Sequence, residues 1–295
     1  MIKSVAMEDK REVILADTAG FCFGVKRAVD TVYAQLETAK ESKKAIYSLG
    51  PIIHNEDVVA KLEAQGVVTV HSLDELKDKE AGYVVIRSHG VDRKTYEEIE
   101  KLGHHVIDAT CPFVKKIHNI VAKAYEEGCK VIIVGDDKHP EVKGIKGWCK
   151  TPPYVVKTVE ELKKVVENSK ENYVLVQQTT FNGIIFKEFV EFLDKNDYNN
   201  VRVYKTICNA TDERQLEAAR IANEVDAMIV IGGINSSNTQ KLYEICKMKC
   251  RNTYYIQTLV DLDLAAIESA KRVGITAGAS TPNYIIKEVH DACQN

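Results

Sequence analysis

The chain has 295 residues, 45% of them hydrophobic and 28% charged, with a net charge of −3 and eight cysteines. That is enough apolar material for two or three cored units, yet the longest apolar runs, such as Val131 to Val134, fall far short of the ~18 residues of a membrane span. The absence of a basic run or aromatic-basic stripe excludes nucleic acid as the main partner, and the opening residues lack a secretory apolar stretch. The expectation is a cytoplasmic protein, with no membrane partner, whose important thiols serve metal or redox chemistry rather than disulfides.

In chain order, Glu12 to Asp17 is a strand-type aliphatic run. It leads through AGFCFGV, with Cys22 in the turn, to a helix whose stripe is Val25, Ala28, Val29, Val32 and Leu36. The strand Ala45 to Leu49 then ends in GPIIHN, carrying His54. A helix from about Glu56 to Gln65, a VVTV strand and a brief helix follow. The strand Tyr83 to Ser88 ends in SHG with His89, a helix runs to Leu102, and HVIDA feeds Cys111. A second pass repeats this order: a helix after Cys111, KVIIVGD ending at His139-Pro140-Glu141, and YVLVQQTT ending at Thr179 and Thr180. In the third, VRVYK leads to Cys208, a helix runs from about Asp212 to Val225, AMIVIGG ends at Ser236-Ser237-Asn238, and VGITAGAS ends at Ser280.

Strands alternating with helices imply βαβ units and right-handed crossovers. The fold class is therefore α/β: three pseudo-symmetric αβ units, at 12–110, 111–207 and 208–295, with parallel sheets around a central cavity. The cysteines recur at roughly the length of one small domain. In each unit one loop at the strand carboxyl ends carries a cysteine, one carries HN, HPE or SSN, and one carries SHG, QTT or AST. That edge of a parallel sheet is where ligands bind.

No C-x-x-C pair occurs among the three loop cysteines, so a local zinc site is disfavoured. Thiolates this far apart in sequence suit an iron-sulfur cluster, and three ligands leave one iron open to act as a Lewis acid. A lone cysteine is more often a small buried hydrophobe. The shared context sets Cys22, Cys111 and Cys208 apart from Cys129, Cys149, Cys246, Cys250 and Cys293, which read as structural.

His54, His89 and His139 fall at strand ends beside helix starts, positions that suit phosphate. Ser236, Ser237, Asn238 and Ser280 offer neutral donors at the matching loops, although each also reads as an ordinary helix cap or turn residue. The remaining histidines, His71, His104, His105, His118 and His290, read as surface or core. Glu141 is either a proton donor whose pKa rises out of water or an exposed first-turn glutamate. Thr179 or Thr180 faces inward to orient a hydroxyl or a water.

AGFCFGV, GPIIHN, RSHG, DATCP, HPEV, QQTT, ICNAT, GGINSSNT and ASTP together resemble 4-hydroxy-3-methylbut-2-enyl diphosphate reductases, over nearly the whole chain. The resemblance implies a three-lobed protein holding a 4Fe-4S cluster through Cys22, Cys111 and Cys208. The hydroxyl of an allylic diphosphate would bind the open iron and leave as water on two-electron reduction. His54, His89, His139, Ser236, Ser237, Asn238 and Ser280 would surround the diphosphate. Thr179 would lie near the hydroxyl, and Glu141 would deliver protons. A ferredoxin or flavodoxin, or a reductase drawing on NADPH, would supply electrons. The residues before Glu12 depart from the family's compact start and read as a disordered terminus. Rival readings are another three-cysteine cluster enzyme, such as a quinolinate synthase-like dehydratase, and a non-catalytic redox or metal sensor.

Overall fold

The computed structural model describes residues 11–294 apart from residue 168, so most of the leader lies outside the described residues. Arg11, the leader residue that is described, is anchored. Its guanidinium donates to the carbonyls of Ala270, Cys293 and Ile267 at 3.3, 3.1 and 3.2 Å. The chain divides into two compact units, one of residues 22–212 and the other of the described residues up to 21 with those from 213 onward.

The first strand, β1 (Glu12–Leu15), belongs to the second of these units. Residues 22–212 form two sheets. Helix α1 (Phe23–Ser42) precedes β2 (Ile46–Leu49), α2 (Glu56–Glu63), β3 (Val67–Val70), β4 (Tyr83–Ile86), α3 (Arg93–Lys101) and β5 (His105–Asp108). Next come α4 (Pro112–Glu126), β6 (Cys129–Val134), α5 (Pro140–Lys146), β7 (Tyr154–Val156), α6 (Val159–Val166), β8 (Asn172–Gln177), α7 (Gly183–Lys195) and β9 (Val201–Val203). Helix α8 (Asn209–Ala222) leads to β10 (Ala227–Ile231), α9 (Ser237–Lys249), β11 (Thr253–Ile256), β12 (Arg272–Ala277) and α10 (Asn283–Gln294).

All strand pairs are parallel, in the orders β3-β2-β4-β5, β7-β6-β8-β9 and β1-β12-β10-β11. The three four-stranded sheets of an α/β fold are thus present. Buried on both faces, their central strands read as unbroken aliphatic runs, such as Ala227–Ile231.

The three sheets share one order, second-first-third-fourth, provided β1 counts as the fourth strand of its sheet. This relocates the first strand of the expected 12–110 unit. Residues 46–108 already supply four strands, whereas the chain after residue 208 supplies three. β1 fills the remaining edge, with Glu12 opposite Arg272 and Leu15 opposite Ile275. Each of Cys22, Cys111 and Cys208 therefore follows the fourth strand of a sheet.

The turn after β1 is held by its own unit. Arg214, buried in α8, donates from Nε to the Thr18 carbonyl at 2.9 Å and from Nη2 to that of Gly20 at 2.8 Å. The Glu217 carboxylate accepts the Asp17 and Thr18 amides, both at 2.9 Å. Charge-assisted bonds of this kind contribute more than neutral ones. Arg214→Ala should cost about 2–3 kcal/mol of stability in denaturant unfolding. A change within experimental error would show that the turn holds itself.

Candidate active site

Each cysteine stands where a strand's carboxyl edge gives way to a helix. Cys22 is the N-cap of α1, its Sγ accepting the Val25 amide at 3.5 Å, and Cys111 is the N-cap of α4, with Pro112 at the first helical position. The Cys208 carbonyl accepts the amides of Thr211 and Asp212 at 2.9 and 3.0 Å. Helix α8 therefore starts at Asn209, not near Asp212 as the sequence suggests, because the cysteine takes the cap. Thr211 Oγ1 also sits 3.0 Å from Cys208 Sγ. Three helix N-termini thus present amides and positive dipole ends to three sulfurs, an environment that favours thiolate.

The three thiols are free, half-buried and within electrostatic reach of one another. Burial, followed by the neighbouring cysteines, pushes the Cys111 thiol up to about 11, and burial raises Cys208 as well. Without a positive centre beside them, the Cys111 and Cys208 sulfurs keep their protons. A Cβ at Gly24 would lie 2.6 Å from Cys111 Sγ and 4.0 Å from Cys22 Sγ, so glycine keeps the space beside both sulfurs open. Arg27 of α1 clamps the approach to Cys111, donating to the Thr110 carbonyl at 3.0 Å. Among the described residues, the sulfurs are not a set whose ligand atoms all fall within 4.8 Å of one another. A tetrahedral zinc ion would hold thiolates roughly 3.8 Å apart. The donor set suits a larger thiolate-bound inorganic core.

The loops after the third strands are tied to the cysteine loops by equivalent bonds. The Cys111 amide donates to Ser88 at 3.0 Å, and that of Cys208 to Thr179 at 3.3 Å. Beside Ser88, His89 meets His54 and His139 at ring-centroid separations of 4.7 and 5.5 Å, and His54 and His139 are 6.2 Å apart. Asn55 caps α2 next to His54, and His139 caps α5, its Nδ1 accepting the Glu141 amide at 3.1 Å. That leaves Nε2 of His139 to carry the ring proton.

The ligand atoms of these histidines all lie within 4.8 Å of one another, a spacing that would also suit a divalent cation. Arg87 decides against that. Burial first, then His54 acting on His89 and His139, and the Arg87 guanidinium acting on all three rings, lower His54 and His139 to about 4 and His89 well below the usual range. A fixed positive charge among neutral donors suits an anion.

Glu141 lies in the first turn of α5 but is only 1% exposed, which removes the solvent-facing alternative. Its carboxylate accepts the Thr179 amide and faces Thr179 Oγ1, both at 2.6 Å. Burial outweighs these bonds and raises its pKa to about 7. Thr179 is thus the inward residue, while Thr180 Oγ1 accepts from Gln178 at 2.9 Å.

In the other unit the matching loops come together at the ends of β10 and β12. Ser236 caps α9, its Oγ accepting the Thr239 amide at 3.3 Å, and Ser280 is buried after β12. Cβ atoms at Gly232 and Gly278 would lie 2.5 and 2.0 Å from Thr239 Oγ1, so these glycines let the α9 N-terminus seat on both strands. Half-buried Ser237 follows Ser236. Asn238 is buried, and neither atom of its side-chain amide has a partner among the described residues.

The profile of the family described as LytB protein matches residues 13–294. The chain belongs to the LytB protein family. A 4-hydroxy-3-methylbut-2-enyl diphosphate reductase of Alkaliphilus oremlandii is 44% identical over 285 residues, covering 96% of this chain and 99% of the relative. One of Clostridioides difficile is 43% identical over 281 residues, covering 95% and 98%. Among solved structures, the E-1-hydroxy-2-methyl-but-2-enyl-4-diphosphate reductase of Plasmodium falciparum superposes with a TM-score of 0.90 at 28% identity, over 97% of this chain and 89% of that one. A second, an (E)-4-hydroxy-3-methyl-but-2-enyl diphosphate reductase described as the terminal enzyme of the non-mevalonate pathway, gives 0.68 at 42%, over 96% and 99%.

Sequence reading misses three members of the site. Arg87 and Gly24 sit inside the motifs RSHG and AGFCFGV without an evident role, and Thr211 is legible only as a small polar residue three positions after a cysteine. Of the histidines set aside, His104 is a core residue, its Nδ1 accepting the Gly82 amide at 3.2 Å, and His118 stacks on Trp148 at 4.9 Å.

The buried proton of Glu141 should be visible in stability. Its contribution is fully present below pH 4.5 and is lost as pH rises through about 7. Over that window the protein should lose on the order of 3 kcal/mol relative to Glu141→Gln, as measured by denaturant unfolding. Parallel pH profiles for the two proteins would place the Glu141 pKa at an ordinary value.

Proposed function

We propose that this protein removes the allylic hydroxyl of (E)-4-hydroxy-3-methylbut-2-enyl diphosphate by two-electron reduction, giving isopentenyl and dimethylallyl diphosphates, the last step of the non-mevalonate pathway. The observation that carries this reading is the meeting of Cys22, Cys111 and Cys208 at three helix N-termini, on the same loop edges that bring three histidines and a buried carboxyl together. These three thiolates would hold a 4Fe-4S cluster, which would supply electrons and, with only three protein ligands, an iron able to act as a Lewis acid.

The protein's own residues do the rest. His54, His89 and His139 bind the diphosphate, and they gain charge as the anion approaches, which strengthens each hydrogen bond. Ser236, Ser237, Asn238 and Ser280 donate to the same diphosphate. Thr179 orients the hydroxyl while holding Glu141. Glu141 keeps a proton near neutral pH because burial disfavours its charged form, and it delivers protons as the hydroxyl leaves as water. Electrons come from a ferredoxin or flavodoxin, or a reductase drawing on NADPH. No described helix is long and apolar enough to cross a membrane. The proposed setting of the reaction is the cytoplasm.

A sensor would use the thiols but has no need of a buried proton donor beside three convergent histidines. Anaerobically prepared protein should contain iron and sulfide and turn over the allylic diphosphate with a reduced dye. Glu141→Gln should keep both iron and substrate affinity while slowing turnover by roughly 10²- to 10⁴-fold. An unchanged rate would remove Glu141 from the reaction, and a protein without iron or turnover would end the reductase reading.

A further inference from the structure

Arg87 follows β4 directly, at the loop edge where His54 and His89 approach. Three features set it apart from an ordinary strand-end arginine. Its Nε is buried and has no hydrogen-bond partner among the described residues. Burial is the sole cause acting on its own titration, so no carboxylate among the described residues balances its charge. Its guanidinium also lies against Gly50 of the GPIIHN loop, where a Cβ would be 2.8 Å from Nη1, 3.2 Å from Cζ and 3.6 Å from Nε. Gly50 has φ +73°, so a side chain there would be strained as well as crowded. The glycine turn is what makes room for the guanidinium.

A guanidinium out of water and without a counterion is costly, and the three imidazoles around it cannot balance it, since each is pushed toward neutrality. The arrangement becomes favourable once an anion arrives. We propose that Arg87 is a further substrate-binding residue, the fixed positive charge of the subsite formed by His54, His89 and His139, and that it attracts the diphosphate of the substrate. This rests on the diphosphate reading of that subsite. Arginine keeps its charge at any working pH. The histidines acquire theirs as ligand binds, so the two kinds of group divide the work between attraction and hydrogen bonding.

The test is calorimetric binding of inorganic diphosphate and of the allylic diphosphate to the anaerobic holoprotein. Arg87→Gln should weaken both by roughly 10- to 100-fold, the value of a charged hydrogen bond, and Arg87→Lys should restore part of the loss. The histidine pKa values, followed by NMR, should rise in Arg87→Gln because a nearby positive charge has gone, a readout that a purely structural role would not move. Thermal stability without ligand should stay unchanged or increase, which keeps misfolding from imitating the effect. Equal affinity in the wild type and Arg87→Gln would overturn the role of Arg87 and leave the substrate reading standing. A wild type that binds neither ligand would overturn both.

Discussion

A thiolate away from water needs positive charge beside it, and here the backbone supplies part of that charge where helices begin. Cys22 and Cys111 are N-caps, and Cys208 occupies the equivalent place before α8. Each is reached from the fourth strand of a sheet, so one local arrangement, used three times, fixes the sulfur relative to its strand edge. Burial, with the neighbouring cysteines adding to it, still raises the Cys111 and Cys208 thiols, so the helix ends by themselves do not hold these two sulfurs as thiolates. The same kind of loop edge carries the other polar groups, because ligands of open parallel sheets bind outside the carboxyl ends of the strands.

Two opposite electrostatic devices then lie a few residues apart. At the histidine cluster burial, assisted by the neighbouring rings and by an unbalanced guanidinium, keeps three rings neutral and ready to accept protons. At Glu141 burial keeps a carboxyl protonated near neutral pH, against the pull of two hydrogen bonds from Thr179. Solvent exclusion produces both, but the sign differs because one group is a base and the other an acid. Residue 139 joins the two devices, since its ring accepts the amide of Glu141.

Much of this is legible in the chain because β-branched runs stop abruptly at short polar loops. The positions of His54, His89, His139, Thr179, Ser236 and Ser280 relative to their strands follow from that pattern alone. The partner of β1 does not, because nothing local in Glu12–Leu15 encodes pairing with a strand some 260 residues later. The start of α8 is misread because cysteine is not an expected cap, and ICNAT carries no Ser, Asp or Asn before the helix. β7, with three residues, and α6 bear no polar site loop and have no place in the sequence reading. Arg87 looks like the end of a strand, and its meaning emerges only when Gly50, in the loop after the neighbouring strand β2, is set against it. The choice between Thr179 and Thr180 likewise waits for the contact with Glu141.

The proposed chemistry depends on three thiolates sharing one inorganic core with a vacant metal corner. Anaerobic Mössbauer spectroscopy of the iron-57 protein, with and without the allylic diphosphate, tests this most directly. The expected spectrum has one iron distinct from three others, and that one alone shifts when substrate is added. Four equivalent irons, or a spectrum indifferent to substrate, would contradict it.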